Sequence, residues 1–216
     1  MLVKEKLGQR PNKTQYVIGL TGGIASGKST VSGILCAKGI RVLDADAIGH
    51  ELMKSGRTAY QEICDTFGKG FLMENGEIDR KKLGAYVFSE PSALKKLNAI
   101  LHPRIASQIA GEVRQAKGIC VIDAALLTEV GLDALCDAVW AVRVPRELQV
   151  KRLMGRNHLS REDALRRMES QLSDAEREKF VTDWIDNSGT AQQLEKQVGE
   201  LLKKAVKAWE ESRKLR

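Results

Sequence analysis

One octapeptide near the N-terminus, Gly22-Gly23-Ile24-Ala25-Ser26-Gly27-Lys28-Ser29, constrains this chain more than any other stretch. It matches G-x-x-x-x-G-K-[ST] and stands where that pattern has a mechanical meaning. Residues 16–21 read as a strand before it, and residues 28–38 as a helix after it with Val31, Ile34 and Leu35 on one face. Residues 19–30 hold four glycines and four hydroxyl residues, too little bulk to fill a core. Glycine lets the chain curl so that successive backbone N–H groups point inward at an anion. The N-terminus of the following helix adds unpaired donors and the positive end of a dipole. Lys28 then reaches the β- and γ-phosphates of a bound triphosphate, and the Ser29 hydroxyl is a ligand for Mg²⁺. With the loop empty, Lys28 is expected to be exposed and to contribute little to stability.

The rest of the chain reads as an α/β domain with a parallel sheet. A second short strand, 40–46 (IRVLDAD), ends in two carboxylates and leads into a helical stretch over 47–53. Helices are expected to begin at Asp79, near 89–91 and after Pro145. The apolar runs 118–127 and 138–144 lack clean alternation, as strands covered on both faces do. Ser160-x-x-Asp163 and Ser173-x-x-Glu176 fit the capping-box pattern, and 183–186 (DWID) reads as a last strand before a turn. A final helix carries Leu194, Val198, Leu201, Leu202 and Val206 on a stripe suited to packing on the sheet. Cys36, Cys64, Cys120 and Cys136 are scattered and form no CxxC pair, so they read as small core residues of a reducing compartment. No run approaches the roughly 18 apolar residues of a membrane span. The formal net charge of +7 is spread over several segments, which suits any polyanionic ligand without indicating nucleic acid.

A phosphate loop alone leaves kinases, GTPases and motor or transport ATPases open. The Asn-Lys-x-Asp loop of a GTPase is missing, since the lone Asn-Lys (Asn12-Lys13) precedes the first strand. The third strand offers a single terminal carboxylate, Asp123, rather than an acidic pair. A small chain with a basic polar segment over 146–180 suits a kinase of small molecules, whose arginine-bearing lid closes over the phosphates.

Taken in order, GLTGGIASGKSTV, GIRVLDADAIGHEL, LNAILHPRI, VKRLMGRNHLSREDALRRMESQ and IDNSG resemble dephospho-CoA kinase over nearly the whole chain. The resemblance implies transfer of the ATP γ-phosphoryl group to the ribose 3′-hydroxyl of dephospho-CoA with Mg²⁺, the last step of coenzyme A biosynthesis. It implies a P-loop kinase fold: a five-stranded parallel sheet flanked by helices, with a lid and a helical substrate-binding insertion. The core would be 16–46, 111–145 and 181–216, the insertion 47–110 and the lid 146–180, after an N-terminal extension over 1–15. ATP would lie on Gly23, Ile24, Ala25, Ser26, Gly27, Lys28, Ser29 and Thr30, with Asn187 and Gly189 beside the adenine. Ser29 would be the metal ligand. Asp46 would be the base, and Lys28 and Arg156, the latter in the lid, the catalytic cations. Asp44, His102 and Arg104 would contact the acceptor.

Three of these assignments also have a geometric reading. Alternate residues of a strand point the same way, so Asp44 and Asp46 would both face the transfer site from a strand beside the phosphate loop. His102 precedes Pro103, which disfavours helical geometry at the histidine. Arg152 and Arg156, four apart, share a helix face. The expected partners are dephospho-CoA and ATP alone, in the cytoplasm, with no nucleic acid, membrane or obligate protein partner. The chain departs from the family pattern at Ala125, where proline is usual, and at Thr128, where an aromatic is usual. Asn157 replaces a frequent aspartate, and His50 stands where some relatives carry arginine. Another small P-loop kinase, for a nucleoside or nucleotide, and a nucleotide-switch or RNA-associated ATPase that binds through the basic surface are the alternatives.

Overall fold

The computed structural model describes residues 14–214, the side chain of Asn157 apart. The N-terminal extension therefore lies outside the described residues except for its last two, and Gln15 already belongs to the first strand. Five strands form one parallel sheet: β1 (Gln15–Gly22), β2 (Arg41–Asp44), β3 (Gly118–Asp123), β4 (Ala138–Arg143) and β5 (Asp183–Asp186). Their spatial order is β2-β3-β1-β4-β5. The chain thus builds outward on one side of β1, returns, and continues on the other, which opens a crevice at the carboxyl ends of the strands.

Both faces of the sheet are covered, and successive strand residues alternate between two cores. Val17, Leu43, Cys120, Ile122 and Val139 pack under α5 (Pro91–Gln115) through Ala106, Ile109 and Val113. Ile18, Leu20, Val121, Trp140 and Val142 pack against α1 (Lys28–Ala37) and α9 (Ala191–Lys214) through Val31, Leu35, Leu194 and Val198. Continuous apolar runs therefore mark strands buried twice, as their sequence indicates. Of the cysteines, Cys120 is in the core, whereas Cys36 is exposed on α1.

A third apolar cluster lies over residues 52–101, on α2 (Ala45–Leu52), α3 (Tyr60–Phe67), α4 (Arg80–Ser89) and the first half of α5. Helix α5 runs without interruption through residue 110 and serves both this cluster and the sheet. Three helices follow β4: α6 (Arg146–Asn157), α7 (Arg161–Glu169) and the short α8 (Asp174–Arg177). Ser160 caps α7 by accepting from the Asp163 N–H, and Ser173 with Glu176 forms a full capping box, both in line with the sequence pattern.

Two local expectations fail. Strand β2 stops at Asp44, and β3 lies between it and β1. Asp44 accepts a hydrogen bond from the Ala47 N–H at 2.9 Å and so starts α2, which places Asp46 in a first helical turn rather than on a strand. His102 is helical in the middle of α5 despite Pro103. The buried residues on either side of the proline, Ile100, Leu101, Ala106 and Ile109, hold the helix through it. The Arg104 guanidinium also donates to the Ile100 carbonyl at 2.7 Å, one turn back.

Candidate active site

The phosphate loop leaves β1 at the centre of the sheet and curls into α1. Ala25 takes a left-handed backbone conformation (φ 60°), and Gly27 another (φ 96°) as the residue preceding α1. A Cβ at Gly27 would run into the side-chain amide of Asn187, so glycine is required there on both counts. The Ser26 hydroxyl is buried in the curl and, among the described residues, meets no hydrogen-bond partner. An orphaned polar atom inside a glycine cradle at a helix N-terminus fits a phosphate group.

Asp123, at the end of β3, lies opposite Leu20 of β1 and opposite Asp44 of β2 in the strand register. Its side chain is 6 % exposed, pairs with the Lys28 ammonium and accepts from the Ser32 hydroxyl. Lys28 is thus folded down onto a carboxylate rather than standing exposed, contrary to the sequence expectation. Asp123 is the residue that sequence reasoning passed over as a lone strand-end acid. Its signal is position: a carboxylate closing an apolar strand that neighbours the phosphate loop. Ser29 and Thr30 are exposed on the first turn of α1, Asp44 is exposed at the end of β2, and Asp46 is exposed in the first turn of α2.

The loop after β5 closes the other side. Asn187 donates from its side-chain amide to the Ser26 carbonyl at 2.8 Å, and its own carbonyl accepts from Arg152 at 3.1 Å. The Asp186 carboxylate accepts from both the hydroxyl and the N–H of Ser188, and these bonds hold it below the usual carboxylate range. That fixes the turn leading to the exposed Gly189. On α6, Arg152 is half-buried, with its guanidinium 3.9 Å from where a Gly27 Cβ would stand. Arg156, one turn further on, is exposed. Gln149 and Gln171 bond the Ile24 backbone, so Ile24 faces the 146–180 segment with both its main-chain groups.

His102 and Arg104 lie on α5. Arg104 spends its guanidinium on the Thr58 carbonyl, the Ile100 carbonyl and the Glu62 carboxylate. Burial holds the His102 imidazole below its ordinary pKa, partly offset by the charge of Glu129. Among the described residues no three His, Cys, Asp or Glu side chains gather around a metal position.

The dephospho-CoA kinase family model matches residues 16–193. The chain belongs to the dephospho-CoA kinase family. It is 45 % identical over 192 residues to a dephospho-CoA kinase of Carboxydothermus hydrogenoformans, covering 87 % of this chain and 93 % of that one. It is 46 % identical over 190 residues to a dephospho-CoA kinase of Bacillus licheniformis, covering 86 % and 94 %. A crystal structure from Thermus thermophilus superposes with a TM-score of 0.74 at 32 % identity, covering 88 % of this chain and 97 % of that one. The dephospho-CoA kinase of Campylobacter jejuni superposes with a TM-score of 0.62 at 27 % identity, covering 90 % and 99 %. The central parallel sheet with helices on both faces is accordingly the P-loop kinase fold that dephospho-CoA kinases share.

Proposed function

We propose that this chain transfers the γ-phosphoryl group of ATP to the ribose 3′-hydroxyl of dephospho-CoA, giving coenzyme A and ADP. Family membership over residues 16–193 carries the reading, and the phosphate cradle at the centre of the sheet agrees with it. The N–H groups of the loop and of the first turn of α1 hold the β- and γ-phosphates. Lys28 exchanges Asp123 for the phosphates, which places an ammonium on the transferred group. Arg152 closes from the lid, and Arg156 follows on the same helix; such cations stabilise charge spreading over the phosphoryl oxygens. Asn187 and Gly189 flank the adenine.

The hard oxygen donors at the mouth of the loop fit Mg²⁺, which keeps several waters and takes few protein ligands. The Ser29 hydroxyl would hold it, with Asp123, once freed of Lys28, behind its waters. Bound there, the ion would supply charge neutralisation for the phosphates of ATP. Asp46 receives the proton of the acceptor hydroxyl, from the first turn of α2 rather than from a strand. Asp44 caps that helix and so sets where Asp46 stands, an indirect role beside the acceptor contact the resemblance implies. The helical cluster over 52–101, with His102 and Arg104, forms the acceptor side, and 146–180 the lid. The enzyme works in the cytoplasm with its two substrates as its sole required partners; no helix among the described residues is long and apolar enough to cross a membrane.

The test identifies the product and the base together. Wild-type protein with MgATP and dephospho-CoA forms ADP and a ribose 3′-phosphate, read by phosphorus NMR. Asp46→Asn lowers kcat by about 10²–10⁴-fold with little change in the KM for dephospho-CoA. Near wild-type kcat in that variant would exclude Asp46 as the base; ADP formed at the same rate without acceptor would exclude the kinase reading.

A further inference from the structure

We propose that Gln149 and Gln171 are positioning residues for ATP, which hold the phosphate loop in its binding curl by clamping the backbone of Ile24. The inference rests on the nucleotide-binding reading above. Ile24 stands just before the left-handed turn at Ala25 (φ 60°), a conformation that persists only where its surroundings over-determine it. The clamp supplies that determination from outside the loop. Gln171, in the turn after α7, accepts from the Ile24 N–H at 2.7 Å. Gln149, on α6, donates its amide to the Ile24 carbonyl at 2.5 Å. One residue is thus bonded on both main-chain groups by two side chains of the lid segment.

Two further observations show that the contact is built. A Cβ on Gly23 would stand 2.6 Å from the Gln149 amide nitrogen, so the glycine lets that amide lie close against the loop. The side chains of Ile24 and Ala25 pack against the small core of the lid segment, Val150, Leu153 and Ala164. The phosphate loop therefore completes the lid's apolar cluster while the lid's glutamines fix the loop.

The two bonds make opposite chemical demands. Gln171 must accept, so a carboxylate can replace its amide. Gln149 must donate, and a carboxylate there would face a carbonyl oxygen. Gln171→Glu and Gln149→Glu add the same charge, which makes the difference between them a readout of geometry.

MgATP binding to the full chain is measured by calorimetry, beside the melting temperature without nucleotide and the KM for each substrate. Gln149→Ala and Gln171→Ala each weaken MgATP about tenfold, the scale of one lost hydrogen bond, and leave the KM for dephospho-CoA unchanged. Gln149→Glu binds MgATP about tenfold more weakly than Gln171→Glu. MgATP affinities in both alanine variants within twofold of wild type, or equal affinities in the two glutamate variants, would overturn the proposal alone. A role confined to folding would lower the melting temperature of the alanine variants without separating the glutamate pair, and would overturn it too. A wild-type chain that binds no MgATP would overturn the nucleotide reading and the clamp with it.

Discussion

Lys28 is held by Asp123, and this changes what its removal does. A lysine over an empty loop would be silent in the unliganded protein, but a carboxylate 6 % exposed loses its counter-charge when the ammonium goes. Lys28→Ala should therefore destabilise the protein without nucleotide by about 1–3 kcal/mol, the scale for a buried polar group left short of a partner. ATP should also raise its melting temperature far less than it raises that of wild type. Unchanged stability in the unliganded variant would contradict the ion pair. The motif disclosed Lys28 but not its resting partner, because a contact between residues 28 and 123 depends on strand adjacency. The arginines of the proposed lid are a similar case: periodicity puts Arg152 and Arg156 on one face of α6, while the fold brings Arg152 against Asn187 and leaves Arg156 exposed. Arg152→Ala should lower kcat/KM for ATP more than Arg156→Ala does, with Arg167→Ala as the control. The reverse order in steady-state kinetics would restore Arg156 as the principal lid cation.

At the scale of elements, strong periodicity and capping residues were legible and boundaries were less so. The capped starts of α4, α7 and α8 follow from Asp79, Ser160 and Ser173, because a cap is a local interaction. The end of β2 does not, because Asp44 can end a strand or open a helix with the same side chain. Helix α3 was hidden in a polar stretch, where only Tyr60, Ile63 and Phe67 turn inward. Helix α5 overrides the local preference of a residue before proline by burying apolar residues on both sides of it. That burial has a pH signature. The His102 pKa lies below its ordinary value of 6.5 because burial disfavours the charged ring. As pH falls through 6.5 the unfolded chain takes up the proton first, so stability declines until the pH passes below the folded pKa. His102→Gln should flatten this decline in urea unfolding between about pH 7 and pH 5, since carboxylates titrate mostly below that window. An unchanged slope would show that the ring titrates alike in both states.

At the scale of the molecule, alternating strands and helices announced a parallel sheet, yet strand order is a tertiary property that no short window contains. The order β2-β3-β1-β4-β5 puts the phosphate loop at the crevice and inserts β3 between it and the acidic strand end. Asp123 thereby becomes the carboxylate that pairs with Lys28, and Asp46 stands in the first turn of α2. The same architecture accommodates many acceptors, so the proposed reading assigns the choice of acceptor to the helices over 45–115 and to the 146–180 segment rather than to the sheet. The most direct measurement is a panel of acceptors offered with MgATP: dephospho-CoA, adenosine, AMP, uridine and pantothenate, each followed by initial rates of ADP formation. The structure and family predict rapid turnover with dephospho-CoA alone. Faster turnover with any nucleoside or nucleotide than with dephospho-CoA would contradict the account while leaving its phosphate loop intact.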